Sequence, residues 1–398
     1  MQALLDRVLQ AARQLGASDV HLKAGLPPVF RIKGDLRTVR DVPPLSKEVL
    51  GEFAQAMMSA RLRDQFEKTW DVDLAYSTQD GARYRVNVFQ QRGSVGLVMR
   101  LIPPEVPPFE NLKLPGKVLQ LAEEERGLIL VTGITGSGKS TTLAAMVDYI
   151  NATRASHIVT IEDPIEYSFR DRRSVINQRE VGFDTTSFAK ALRAALRQDP
   201  AVVLVGEMRD LETTEIGMTA AETGHLVLST LHTVDAVETV SRVVSLYPPH
   251  QQMQARLQLA TVLKGVVSQR LLARADGQGM VPAVEILVAT ARVKELIADP
   301  KRTRELHDAI ASGRDPYGMI SFDQCLTELV RQKLVTYAEA SANATNAADF
   351  ALTFRGVSKG GGDDQVPSPI TQVNMQRPAA NTAGGGTQGD FQIDRFKE

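Results

Sequence analysis

Eight consecutive residues, Gly133-Ile134-Thr135-Gly136-Ser137-Gly138-Lys139-Ser140, follow the pattern G-x-x-x-x-G-K-[ST]. Gly133, Gly136 and Gly138 let backbone N–H groups wrap a β-phosphate with no Cβ in the way. Lys139 sets a positive charge against the β and γ oxygens, and the Ser140 hydroxyl joins the shell of a Mg²⁺ ion. Thr135, Ser137 and Thr141 complete the expected cradle. The apolar run GLILVT precedes the loop and the helical run STTLAAMVDYI follows it, which is the context this motif needs. These residues predict an ATP site that uses Mg²⁺.

A phosphate loop alone does not hydrolyse. A group must polarise water, and a second carboxylate must support the metal shell. The run HIVTIEDPIEY ends in Glu162 and Asp163, with Glu166 close behind, and AVVLVGEMRD carries Glu207. Carboxylates at the carboxyl ends of parallel strands face the crevice where open α/β sheets bind ligands. Glu162 is therefore expected as general base and Glu207 as the residue acting on Mg²⁺ or its waters. Asp163 and Glu166 read equally well as catalytic groups or as loop acceptors for backbone N–H groups. His225 and His232 bracket the strand HLVLSTLH. His232, at its carboxyl end, is placed to sense a γ-phosphate, whereas His225 reads either as a site residue or as a buried structural one. The chain has six histidines, a single cysteine, Cys325, and no H-E-x-x-H, which excludes a disulfide framework and a cysteine-built zinc site. A reducing compartment is expected.

The elements that must carry these groups follow from hydrophobic pattern. GLILVTG, HIVTIE, AVVLVGE and HLVLSTLH are continuous apolar runs, as required of strands covered on both faces of a parallel sheet. An α/β domain is expected over 116–357. Residues 1–101 mix short strand-like runs such as ARYRVNVFQQ with helical ones such as KEVLGEFAQAMM and read as a small α+β domain. Prolines in IPPEVPPFENLKLPG forbid regular structure and mark 102–115 as a semi-rigid linker. The Gly-, Pro-, Gln- and Asn-rich segment 358–398 is expected to be disordered, and its closing DFQIDRFKE reads as a docking peptide or as an end without function.

The N-terminal run places Leu4, Leu5, Val8, Leu9, Ala12 and Leu15 on one helical face interrupted by charge, unlike a secretion signal. No apolar run approaches the roughly 20 residues that span a bilayer, so a soluble cytoplasmic protein is expected. Its 46 Lys and Arg against 47 Asp and Glu leave no charge excess to draw nucleic acid or a membrane surface.

Taken in order, the phosphate loop, IEDPIEY, VGEMRD and TGHLVLSTLHT resemble the boxes of the secretion and type IV pilus ATPase superfamily, most of all its pilus-retraction branch. GASDVHLKAGLPPVFRIKGDL resembles the opening of that branch, and the resemblance runs to about residue 355. It implies a RecA-like P-loop ATPase domain preceded by a PAS-like domain that turns arginines toward the phosphates. That role carries onto Arg85 and Arg100, with Arg83 a further candidate. It also implies a homo-hexameric motor, peripheral to the inner membrane at the pilus base, that drives pilin depolymerisation and twitching motility through an inner-membrane platform protein. A retraction paralogue is a further implied partner; nucleic acid is not.

Four alternatives stay open: an accessory retraction paralogue, a pilus extension or secretion ATPase, a non-catalytic ATP-binding subunit and a nucleic-acid motor. The short front end and single cysteine argue against the extension relatives, which usually carry a four-cysteine zinc module. Three positions depart from the family pattern. Ala201 stands where an acid is usual, but lies six residues, roughly 20 Å of extended chain, from Glu207. The run RVKELI, Arg292 to Ile297, has Arg292 in place of an alanine and Lys294 in place of an arginine, and lysine does not reproduce a bidentate contact.

Overall fold

A computed structural model describes residues 2–354 except 40, 41 and 104, so the segment 358–398 with its closing peptide lies outside the described residues. The front of the chain forms an antiparallel sheet from β1 (Ala17–Leu22), β2 (Val29–Ile32), β3 (Asp35–Thr38), β4 (Asp71–Ser77), β5 (Arg83–Gln91) and β6 (Ser94–Ile102), in the order β3-β2-β1-β6-β5-β4. Alternation decides its faces. Tyr84, Val86 and Val88 of β5 point into a core shared with helices Gln2–Gln14 and Lys47–Met57, where Leu5, Leu9, Leu50 and Phe53 are fully buried. Arg83, Arg85 and Asn87 fall on the opposite face. One expectation fails here: Leu4 is 37% exposed, because the stripe that packs on the sheet is narrower than the apolar face read from the sequence.

The second sheet contains β7 (Gly127–Thr132), β8 (His157–Glu162), β9 (Val175–Glu180), β10 (Val202–Val205), β11 (Leu226–Leu231), β12 (Leu263–Ala273) and β13 (Met280–Val288). Its order is β13-β12-β7-β11-β10-β8-β9, parallel throughout except for the antiparallel β12–β13 pair. All six residues of β7 and of β11 are buried, as strands covered on both faces must be. Cores on the two sides, one around Val159, Val205 and Val227 and one around Ile129, Val131 and Leu228, hold it between helical layers. Each such side chain contributes about 1.5–3 kcal/mol.

The connecting segment is less irregular than its prolines suggest: Phe109–Leu112 forms a 3₁₀ turn, which is short enough to fit between them. Strands β9, β12 and β13 are absent from the sequence reading. VINQRE in β9 is an edge strand with polar residues, and the helix-to-strand change at Leu263 leaves no turn residue to mark it. Arg292 to Ile297 lies in the helix Ala291–Ala298, with Val293, Leu296 and Ile297 buried and Arg292 exposed.

Candidate nucleotide site

The phosphate loop leaves β7 in the centre of the sheet and enters the helix Lys139–Thr153. Gly133, Gly136 and Gly138 all have positive φ, at 142°, 80° and 90°. At Gly133 the requirement is steric as well: a Cβ there would lie 2.4 Å from the Gln269 carbonyl oxygen and 2.5 Å from Ser137 Oγ. Gly138 is the N-cap and provides no side-chain acceptor, so the first-turn N–H groups of the helix remain available to an anion. Lys139 is 8% exposed and donates to the Gly133 and Ile134 carbonyls at 2.8 and 2.9 Å. Burial pushes its pKa down, opposed by the charges of Glu166 and Glu207. Ser137 Oγ is buried with no hydrogen-bond partner. A buried ammonium resting on loop carbonyls, an unpartnered hydroxyl and an uncapped helix start fit a phosphate chain.

A cleft of about 200 Å³ opens beside this loop, lined by Gly133 to Ser137 and by Gln269, Arg270 and Leu271 of β12. The guanidinium of Arg270 donates to the Asn343 carbonyl at 2.5 Å and lies 4.0 Å over the Phe322 ring. Sequence reading missed this wall because β12 returns to β7 from more than a hundred residues downstream.

The carboxylates occupy the same end of the sheet. Glu162 ends β8, and its Oε1 accepts from Thr160 Oγ1 at 2.6 Å and Gln178 Nε2 at 3.2 Å. Burial raises its pKa, while the Thr160 and Gln178 bonds and the Glu166 N–H work against that rise. Glu166 is exposed in the loop after β8, which is not a helical turn. Tyr167 in that loop shares a 2.9 Å hydrogen bond with Thr141 of the phosphate-loop helix. Glu207 lies two residues beyond β10, 2.6 Å from Arg209 Nε and 3.5 Å from His232 Nε2. These three residues line a second cleft of about 220 Å³ with Arg242. Local signals hold this corner: Asp210 caps the helix Leu211–Glu222 through the Thr213 N–H, and Asp235 caps Ala236–Ser245 through the Glu238 N–H. His225 precedes β11 at the opposite end from His232, its Nδ1 3.0 Å from the Ala220 carbonyl.

The arginines carried over by resemblance stand elsewhere. Arg85 and Arg100 are register partners on β5 and β6, and neither lines either cleft. Arg100 Nε is bound to Asp19 Oδ1 at 2.7 Å; Asp19 is buried, yet the Arg100 and Ser18 hydrogen bonds and the Arg31 charge hold its pKa below the usual value against that burial. Arg83 is paired with Glu180 of β9 at 3.0 Å.

A family model described as type II/IV secretion system protein matches residues 1–360. This chain is an ATPase of that family. The type IV pilus retraction ATPase PilT of Pseudomonas aeruginosa is 42% identical over 346 residues, covering 87% of this chain and 99% of that protein. A twitching motility protein of Neisseria gonorrhoeae is 44% identical over 82% of this chain and 86% of its own length. A crystal structure of the pilus retraction motor PilT with bound ADP superposes with a TM-score of 0.80 at 46% identity, covering 86% of this chain and 98% of the other. The α/β reading and the resemblance to the retraction branch of the type II/IV family both hold. No helix among the described residues is long and apolar enough to cross a membrane.

Proposed function

We propose that this secretion-family ATPase is the motor of type IV pilus retraction. The observation that carries the reading is similarity to retraction motors along both sheets, joined to a phosphate loop whose buried lysine and uncapped helix start suit ATP. Gly133 and Thr135 to Thr141 bind the phosphates, with Lys139 moving from its loop carbonyls onto the β and γ oxygens. Ser140 and Glu207 would hold Mg²⁺, which would neutralise phosphate charge. Glu162 accepts the proton of the attacking water as its oxygen bonds to the γ-phosphorus and ADP leaves. His232, beside Glu207, reports the loss of the γ-phosphate to the strand ends. Arg85 and Arg100 reach the phosphates only when the N-terminal sheet closes over the site, a motion about the 102–115 linker.

Six copies form a ring at the inner face of the inner membrane, and sequential closure round it turns a platform protein and depolymerises the pilus. A retraction paralogue works beside it. The test is a count of surface pili and twitching motility in a deletion strain complemented with wild type or Lys139→Ala. Abundant pili without motility, restored only by wild type, is the expected result. Bald cells point to extension instead, and unchanged cells to an auxiliary paralogue.

A further inference from the structure

Strand β9 bears none of the motif residues, yet it holds the site together. Its Glu180 is the register partner of Glu162 on β8. Two residues earlier, Gln178 donates through Nε2 to Glu162 Oε1 at 3.2 Å and to the Tyr167 carbonyl at 2.9 Å, and its Oε1 accepts the Phe169 N–H at 2.9 Å. Glu180 faces the same way. Its Oε2 accepts the Ile165 N–H at 3.3 Å and Arg83 Nη2 at 3.0 Å. The Arg83 and Glu180 side chains are only 25% and 10% exposed, so their attraction is weakly screened. The loop 163–167 is thus pinned by Glu180 on one side and by Tyr167 against Thr141 on the other. The N-terminal domain reaches the turn after β9 once more, from the helix Ala60–Thr69, through Arg61 Nη2 to the Gly182 carbonyl at 3.2 Å, without touching Glu180.

We propose that β9 is a positioning element of the ATP site: Gln178 orients Glu162, and Glu180 makes that orientation depend on the seating of the N-terminal sheet through Arg83. Arg83 is then a latch between the two sheets and not a phosphate ligand. A bond that exists in one seating and breaks in another gives the site a means of sensing domain position at the carboxylate itself. The inference rests on the general-base reading of Glu162.

The test is steady-state ATP hydrolysis with Mg²⁺, together with binding of fluorescent ADP, by full-length Arg83→Ala, Glu180→Gln, the double variant, Arg61→Ala and Glu162→Gln. Glu180→Gln keeps an acceptor for the Ile165 N–H, and Arg83→Lys, which keeps the charge with less reach, is the milder second variant. Both single changes at the latch are expected to lower kcat by roughly tenfold or more, leaving KM and ADP affinity in place. The double variant should be no slower than the slower single, because both sever one interaction. Arg61→Ala should keep most of the wild-type kcat, and Arg83→Lys should fall between Arg83→Ala and wild type. Multiplicative losses in the double variant, losses that track ADP affinity, or an equal loss in Arg61→Ala overturn the latch. Glu162→Gln separates the two readings. If it turns over normally, the general-base reading fails and the inference falls with it; if it is inactive while the latch changes multiply, the inference alone fails.

Discussion

Gly133→Ala isolates the geometric demand of the phosphate loop from its chemistry, since every backbone N–H group is retained. The added Cβ meets the Gln269 carbonyl at 2.4 Å and Ser137 Oγ at 2.5 Å, where ordinary contact begins at 3.4 Å, so its neighbours must retreat by about 1 Å. The serine has room to rotate, but the carbonyl belongs to β12, whose residues 265–268 are laddered to β7. Holding a non-glycine residue at φ 142° adds about 1–3 kcal/mol of backbone strain, and the overlap adds a similar amount. A total near 3 kcal/mol lowers the melting temperature by roughly 10 °C in a domain of this size. Gly136→Ala is the internal reference: φ is 80°, nothing lies within 4 Å of the added carbon, and only the left-handed penalty of about 1 kcal/mol applies. Differential scanning calorimetry and fluorescent ADP binding read both effects. Gly133→Ala is expected to melt well below Gly136→Ala and to lose turnover by about a hundredfold, as a displacement near 1 Å at the phosphates implies. Equal melting temperatures and equal turnover in the two variants would refute the steric reasoning.

Two further outcomes depend on carboxylates whose pKa burial raises. Glu162 acts as a base only when ionised, so kcat falls as pH drops through its folded pKa, which burial has raised. Gln178→Leu removes one donor to the ionised form, with the Thr160 hydroxyl and the Glu166 N–H still donating to it, and should shift the acid limb of the kcat profile to higher pH; an unmoved limb counts against Gln178 as a partner of the base. Glu285 on β13 is buried and accepts the Ala236 N–H at 2.9 Å, and its pKa is pushed up to about 7 by burial and by the charge of Asp235, with Asp323 adding to the rise and Arg270 opposing it. The folded state therefore holds this proton between the ordinary glutamate value of 4.5 and about 7, and stability falls as pH rises through that window, by about 3 kcal/mol. Glu285→Gln keeps the acceptor and loses the titration. Its melting temperature should show a smaller decline from pH 5 to pH 8 than wild type, and parallel declines would place the titration elsewhere.

The phosphate loop was legible because its chemistry is local: glycines at fixed spacing, a lysine and a hydroxyl residue all lie within one strand-to-helix turn. The buried strands β7, β8, β10 and β11 were legible for a related reason, since continuous apolar runs have no other stable place in a water-soluble α/β fold. The resemblance of four ordered boxes then carried the family. What the sequence left open depends on residues far apart in the chain. Gln269 and Arg270 wall the phosphate cleft only because β12 pairs with β7, and Glu207 meets His232 only because β10 and β11 are neighbours. Gln178 and Glu180 are polar residues on a short edge strand with no periodicity to announce them. Their partners, Glu162 and Arg83, lie 16 and 97 residues away. Composition and spacing determined which groups could hold a nucleotide. Tertiary structure decided which groups orient them, because a hydrogen bond is set by direction and distance across the fold, and neither is written in the order of the chain.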